Sequence, residues 1–262
     1  MMRALNTAGT GMLSQQLNLD VISNNLANVN TTAFKQQRAE FQDLMVQTFR
    51  ASGASTGGAV NLPSPVQIGL GSKFSATATN FAGGPMQATG NPLDLAINGD
   101  GFFSVQKADG GLAYTRDGSF KLDATGLVVT NDGYPLVPNI TVPAGAKAIT
   151  VSGNGTVSAI LPGTNEPTSL GQISTTVFAN PSGLTRAGQN LYLAGGASGD
   201  AQTATPGQNG AGELTSSFVE GSNVQVVEEM VRMILAQRAY EINSKAIQTA
   251  DDMLSILNNL KR

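Results

Sequence analysis

Apolar residues recur at steps of three and four along the first thirty positions. Leu5, Ala8, Met12, Leu19, Ile22, Leu26 and Val29 share one register, with the polar Gln15 among them. That spacing lays them on one stripe of an α-helix. Gly9 and Gly11 each remove about 1 kcal/mol of helix preference, so this helix needs a partner. The far end of the chain supplies one. From Ser222 to Leu260 there is neither Gly nor Pro, and Met233, Ala236, Tyr240, Asn243, Ile247, Ala250, Leu254 and Leu257 keep the same rhythm. Val224, Val227, Val231 and Ile234 form a second stripe at its start. About 37 helical residues make a rod of roughly 55 Å. Ser222 or Asn223 is placed to cap it, with Glu228 and Glu229 at the positive end of the dipole and Lys261 and Arg262 at the other. The simplest reading is a terminal coiled coil of the first helix against the last. Two helices laid across the middle of the chain are the alternative.

Between these ends the period changes. AINGDGFFSVQ, GGLAYTRDGSFKLD and TGLVVTNDGYPLV are short strand-like runs broken by Asn-Gly and Asp-Gly turns. AITVSG, TVSAI and QISTTVFA form a second strand-rich group over 148–194, and GGASGDAQTATPGQNGAG over 195–212 reads as a long exposed loop. The segment VQTFRASGASTGGAVNLPSPVQIGLG, 46–71, is linker-like in its Ser, Gly and Ala, yet Leu62, Val66, Ile68 and Leu70 suggest that part of it docks in an assembly. The expected divisions are therefore 1–45, 46–71, 72–217 and 218–262.

VISNNLANVNTTAFK, 21–35, holds four asparagines at the end of the helical stripe. Asn28 and Asn30 can end the helix and satisfy exposed backbone groups ahead of the Thr31–Thr32 turn. Asn24 and Asn25 can bridge to neighbouring backbone in an assembly. A solvated, amide-rich helix end accounts for the spacing equally well.

Composition removes whole classes of chemistry. The 262-residue chain has no histidine and no cysteine, which excludes disulfides, thiol catalysis, histidine bases and the usual serine triad. Asp100, Asp109, Asp117 and Asp132 each precede a glycine, so hairpin turns already explain them without a carboxylate pair. The EF-hand order is missing, and GLGSK at 69–73 is too short for a phosphate-binding loop. An enzyme is not expected, and neither is a cofactor or metal. With a net charge of −3 and scattered basic residues, no nucleic-acid partner is expected. No run is apolar for the roughly 18 residues a membrane span needs, and the start lacks the pattern of a cleaved signal peptide. Residues 222–262 carry five acidic and five basic side chains, a balance unlike that of a membrane-surface helix.

VISNNLANVNTTAFK followed by RAEFQDLMVQTFR resembles the N-terminal signature of the flagellar rod and hook family. VEEMVRMILAQRAYEINSKAIQTADDMLSILNNL resembles its C-terminal signature, and PLDLAINGDGFFSVQ with YTRDGSFKLDATGLVVTNDGYPL resembles its first β domain. Together these cover about half the chain in the expected order. The 46–71 stretch resembles the one that separates distal rod subunits from hook subunits. Ala33 stands where the family commonly has glycine, which argues against a positive φ at that position.

The resemblance implies an α+β fold, with a discontinuous N- and C-terminal α-helical coiled-coil domain and an inserted, mainly antiparallel β outer domain. It implies a structural subunit of the distal rod, stacked helically into a hollow, stiff drive shaft that carries torque from motor to hook and contains the export channel. Implied partners are identical subunits, proximal rod proteins, hook and rod–hook junction subunits, the surrounding P and L rings, the rod cap and the flagellar type III export machinery. The implied location is the basal body, across the periplasm toward the outer membrane. A hook or proximal-rod subunit is the near alternative; a glycan-binding or glycan-cleaving β protein is the distant one. Leu19, Ile22, Leu26, Ile234, Ile247 and Leu254 are expected to seal helix–helix contacts. The full set of expected assembly residues adds Leu5, Met12, Asn24, Asn25, Asn28, Val29, Phe34, Leu62, Val66, Ile68, Val227, Met230, Tyr240 and Leu257.

Overall fold

The computed structural model describes residues 2–50, 64–162 and 166–260, without the side chains of 257, 258 and 260. The chain forms two compact units whose segments interleave along the sequence. One comprises Met1–Ala27, Gln37–Thr79 and Gln225–Arg262, the other Asn28–Gln36 and Asn80–Val224. Residues 28–36, 72–79 and 218–224 thus group differently from the divisions drawn on the sequence, because backbone pairing and buried side chains place them.

In the first unit, helix α1 (Met2–Ala27) packs on helix α2 (Val226–Leu260). The α2 side of the contact is small: Ala236 and Ala250 are buried, and Asn243 lies between them in register. A Cβ at Gly11 of α1 would stand 3.0 Å from Asn243 Nδ2. The glycine that weakens α1 as an isolated helix is the one that allows this close approach. After the helix, Gln37–Asp43 pairs antiparallel with Ser72–Thr79, with a bulge between Glu40 and Phe41. Ser14 and Ser72 hydroxyls meet at 3.2 Å, tying α1 to this ribbon. Val46–Arg50 pairs antiparallel with Val66–Gly69 in a second two-stranded ribbon, every residue of which is exposed. Leu62 lies outside the described residues.

Neither Ser222 nor Asn223 caps α2, contrary to expectation. The helix begins three residues later, and the Asn223 amide is used elsewhere: it accepts from Gln36 N–H at 2.7 Å and donates to Asn80 O and Ala82 O.

The second unit is built on an antiparallel sheet. Its strands run in the order Thr185–Gly188, Leu191–Leu193, Leu112–Thr115, Phe102–Gln106, Thr175–Val177 and Gln202–Ala204, with Leu136–Val137 also paired to Phe102–Gln106. The strand Gln202–Ala204 falls inside the stretch read as a loop; Thr175–Val177 supplies its partner. Ala148–Val151, Thr156–Ile160 and Pro167–Gln172 make a three-stranded sheet. Successive strand side chains point to opposite faces, and here both faces are covered. Phe103 and Val105 enter one core with Leu95, Ile97, Phe120 and Leu136, while Phe102 enters a second with Tyr114, Phe178, Leu184 and Tyr192. That is why Phe102 and Phe103 are both apolar where a half-exposed strand would alternate, and Ser104 is accommodated on the second face by its hydrogen bond to the Thr176 hydroxyl at 2.7 Å.

Candidate assembly surfaces

Residues 28–36 leave the helix and are sewn into the β-rich unit. Thr31 N–H donates to Asn28 O at 3.1 Å and the Thr31 hydroxyl to Asn28 Oδ1, closing a turn just past Ala27. Asn28 therefore ends the helix, and Val29 sits in the turn rather than on the stripe. Ala33 takes φ 55°, correcting the expectation drawn from its methyl group. Its N–H donates to Glu220 O at 2.7 Å, and Asn223 N–H donates to Phe34 O. Those bonds and burial on all sides hold a conformation that costs about 1–2 kcal/mol for a residue with a Cβ.

Beneath this strap lies a buried ion cluster. Lys35 Nζ donates to Glu220 Oε1 at 2.7 Å and to Ala82 O at 2.9 Å. Arg116 Nε donates to Glu220 Oε2 at 3.0 Å, and Arg116 Nη1 to Gly99 O and Gly101 O. Gly84 N–H adds a further bond to Glu220 Oε1. None of the three side chains exceeds 4% exposure. Burial pushes the Lys35 ammonium below the usual lysine range, with the Glu220 carboxylate only partly opposing it. Burial alone would raise Glu220, but Arg116 and Lys35 outweigh it and hold the carboxyl below its ordinary range. Arg186 covers the Phe34 ring at 4.8 Å, so this predicted assembly residue is spent inside the chain.

A second polar knot lies in the helical unit. Asn25 is buried; its Nδ2 donates to Gln37 O at 2.8 Å and to Glu229 Oε2 at 3.1 Å, while its Oδ1 accepts from Gln37 N–H. Arg232 Nη1 reaches the far oxygen of Glu229 at 3.3 Å. Asn25 thus does bridge to backbone, but to its own chain's. Asn24 is exposed. Beside this knot runs a groove of about 400 Å³, lined among others by Val21, Ile22, Phe41, Arg232, Leu235 and Ala239.

The remaining predicted residues divide by burial. Ile22 is buried; Leu5, Met12, Leu19, Leu26, Ile247 and Leu254 are half-buried, as expected for a helix–helix seam. Ile234 does not seal it: 56% of its surface is open. Val227 (75%), Met230, Tyr240, Val66 and Ile68 are exposed too, joined by Leu13, Met45, Phe49, Leu235, Ile242 and Ile256, which lie outside the expected set. All belong to the helical unit. In the β-rich unit the exposed large apolar side chains among the described residues are only Met86, Leu112 and Leu122. The Leu257 side chain is outside the described residues.

Sequence reasoning missed Lys35, Arg116, Glu220, Glu229 and Arg232. The available signal was a charge set among apolar or backbone-tight neighbours, as in TAFKQ, AYTRDG and FVEGS. This arrangement holds segments together and presents apolar area. Among the described residues no group of His, Cys, Asp or Glu is placed to hold a metal, and no helix is long and apolar enough to cross a membrane.

Three family profiles match the chain: Flagella basal body rod protein over 5–35, Flagellar hook protein FlgE/F/G D1 domain over 96–159, and Flagellar basal body rod FlgEFG protein C-terminal over 215–260. Among curated relatives, the flagellar basal-body rod protein FlgG of Borreliella burgdorferi is 50% identical over the whole of both chains. That of Buchnera aphidicola subsp. Schizaphis graminum is 49% identical over 96% of each. A FlgF of Caulobacter vibrioides is 35% identical over 92% of each. At this identity and coverage, the chain belongs to the flagellar basal-body rod protein FlgG family.

Proposed function

We propose that this chain is the structural subunit of the distal rod, polymerising helically into a hollow, stiff shaft that transmits torque from motor to hook and contains the export channel. The observation that carries this reading is the imbalance between the two units. Among the described residues the helical unit leaves most of its large apolar side chains exposed, far beyond the scattered exposure of an ordinary monomer, whereas the β-rich unit exposes only Met86, Leu112 and Leu122. Repeated copies would cover that surface, with the α1–α2 pair continuing as a coiled coil around the channel.

The exposed ribbon Val46–Arg50 with Val66–Gly69 fits the same account. An isolated two-stranded ribbon is marginal in water, and this one offers Val46, Phe49, Val66 and Ile68 to a neighbour. Its role is to brace adjacent subunits and stiffen the shaft. Proximal rod proteins, hook and junction subunits, the P and L rings, the rod cap and the type III export machinery are the proposed partners, and the basal body across the periplasm is the proposed location. No enzymatic role is proposed. The higher identity to FlgG relatives than to a FlgF supports the distal-rod reading.

The test is electron microscopy of purified basal bodies carrying a label on this chain. Label within the segment surrounded by the P and L rings is the expected result; label only beyond the rings, in the hook, overturns the assignment.

A further inference from the structure

Phe81, Phe102 and Phe178 wall a cavity of about 200 Å³ in the β-rich unit, with Arg116, Asp100 and the exposed Ala179 also on its lining. The rings meet edge to face, Phe81 with Phe102 at 5.4 Å and Phe102 with Phe178 at 5.8 Å, so the walls are fixed. Arg116 commits Nε to Glu220 and Nη1 to two carbonyls, while its Nη2 makes no hydrogen bond among the described residues. No fully buried side-chain nitrogen or oxygen among the described residues lacks a partner, so Nη2, on a side chain only 4% exposed, keeps a little accessible surface. An occupant must therefore offer an apolar group to the rings and an acceptor, best an anion, to the guanidinium.

The same unit displays one group of that description. Of its three exposed large apolar residues among those described, Met86 lies between Pro85 and Gln87, with no acid beside it. Leu112 follows Asp109, whose carboxylate is already taken by Lys107 Nζ and Gly111 N–H, each at 3.0 Å. Leu122 is followed by Asp123, whose backbone is hydrogen-bonded to Leu127 and Gly126 but whose carboxylate makes no bond or ion pair among the described residues.

We infer that the cavity is a socket for a second copy of this chain, taking Leu122 against the three rings and Asp123 against Arg116. This rests on the polymer reading above and adds a contact between β-rich units to it. Socket and knob are different surfaces, so the contact is head-to-tail, the kind that builds an open helix when its rotation does not close a ring. Asp100 opposes the incoming carboxylate, which makes each contact weak singly and effective only when repeated.

The chain has no cysteine, so engineered thiols report on this contact without background. Leu122→Cys and Ala179→Cys are placed in separate full-length copies, produced together in the bacterium, and the rods are isolated and mildly oxidised. The expected product is a mixed dimer joined through positions 122 and 179, prominent over either same-variant dimer. Adding Asp123→Lys to the Leu122→Cys copy is expected to suppress it. Rods that form normally but give no mixed dimer overturn the socket and leave the rod assignment standing, as does a mixed dimer indifferent to Asp123→Lys. If the wild-type chain is absent from isolated rods, the rod assignment itself falls and the socket with it.

Discussion

Lys35 and Glu220 lie 185 positions apart in the chain and meet at 2.7 Å with almost no solvent on either side chain. Removing one member of a buried ion pair leaves the others without compensation, which typically costs about 3–5 kcal/mol. Glu220→Gln leaves two buried cations facing each other and should destabilise the β-rich unit by about that much, read as a fall in the urea midpoint at unchanged slope. A loss below about 1 kcal/mol would mean that Lys35 and Arg116 find other partners or water.

The same cluster sets a pH dependence. Burial works to raise Glu220, yet Arg116 and Lys35 hold its carboxyl below the usual range, so its contribution is complete above the unfolded value of about 4.3 and is lost as pH falls through the lower folded value. Lys35 is lowered chiefly by its burial, so between its folded value and the ordinary value of about 10.4 the unfolded chain binds more protons, and stability rises with pH. Both slopes have the same sign. Urea midpoints measured against pH should fall on acidification below about pH 4, and Glu220→Gln should flatten that acid limb.

Ala33 holds a left-handed backbone while buried. Ala33→Gly would relieve about 1–2 kcal/mol of strain but forfeit about 0.8 kcal/mol of methyl burial and loosen the unfolded chain by about 0.4–1 kcal/mol. The expected change is therefore near zero. A β-branched Val at this position should destabilise by about 1–3 kcal/mol. Thermal melts of the two variants check the contrast; equal melts would mean that the turn has rearranged.

At Gly11 two effects oppose each other. Alanine improves helix preference by about 1 kcal/mol, while its Cβ would press on the Asn243 amide at 3.0 Å. Gly11→Ala should be close to neutral, and Asn243→Ala in the same chain should release the helix gain. Gly11→Leu should separate the helices and destabilise by about 1–3 kcal/mol. Helical circular dichroism during urea unfolding distinguishes these cases.

The exposed apolar face predicts a separation of folding from assembly. Val227→Asp or Ile234→Glu should shift monomer stability by only about 0.5 kcal/mol, as surface changes do, yet prevent incorporation into rods. Ile22→Ala, at a buried site, should instead cost about 2–5 kcal/mol. Sedimentation of polymer beside monomer melts reads both; normal incorporation of the charged variants would show that this face is not an interface.

What could be read from the chain beforehand was local. The three-four spacing located both helices, and the runs FFSVQ, AITV and TVSAI became strands where they were expected. The helix start at Ser222 was misread because Asn223 has three backbone partners that cap statistics do not know about. The strand Gln202–Ala204 looked like loop because its partner, Thr175–Val177, is distant in sequence. The ion cluster carries only a faint local signal, single charges set among apolar or glycine neighbours in TAFKQ, AYTRDG and FVEGS, and nothing local pairs them. Lys35, Arg116 and Glu220 each look like an ordinary surface charge until the fold brings them together.

The strap over that cluster has a bearing on timing. A polypeptide delivered from its N-terminus presents Lys35 early and must wait for Glu220, so the left-handed turn, the cation beneath it and the strand Phe218–Glu220 can only click shut late. Until Glu220 is in place, Lys35 and Arg116 lack the carboxylate that compensates them, and closing the turn over them would bury two unpaired cations. Closure of this turn is thereby tied to segments far apart in the chain, and the N-terminal stretch cannot complete it alone.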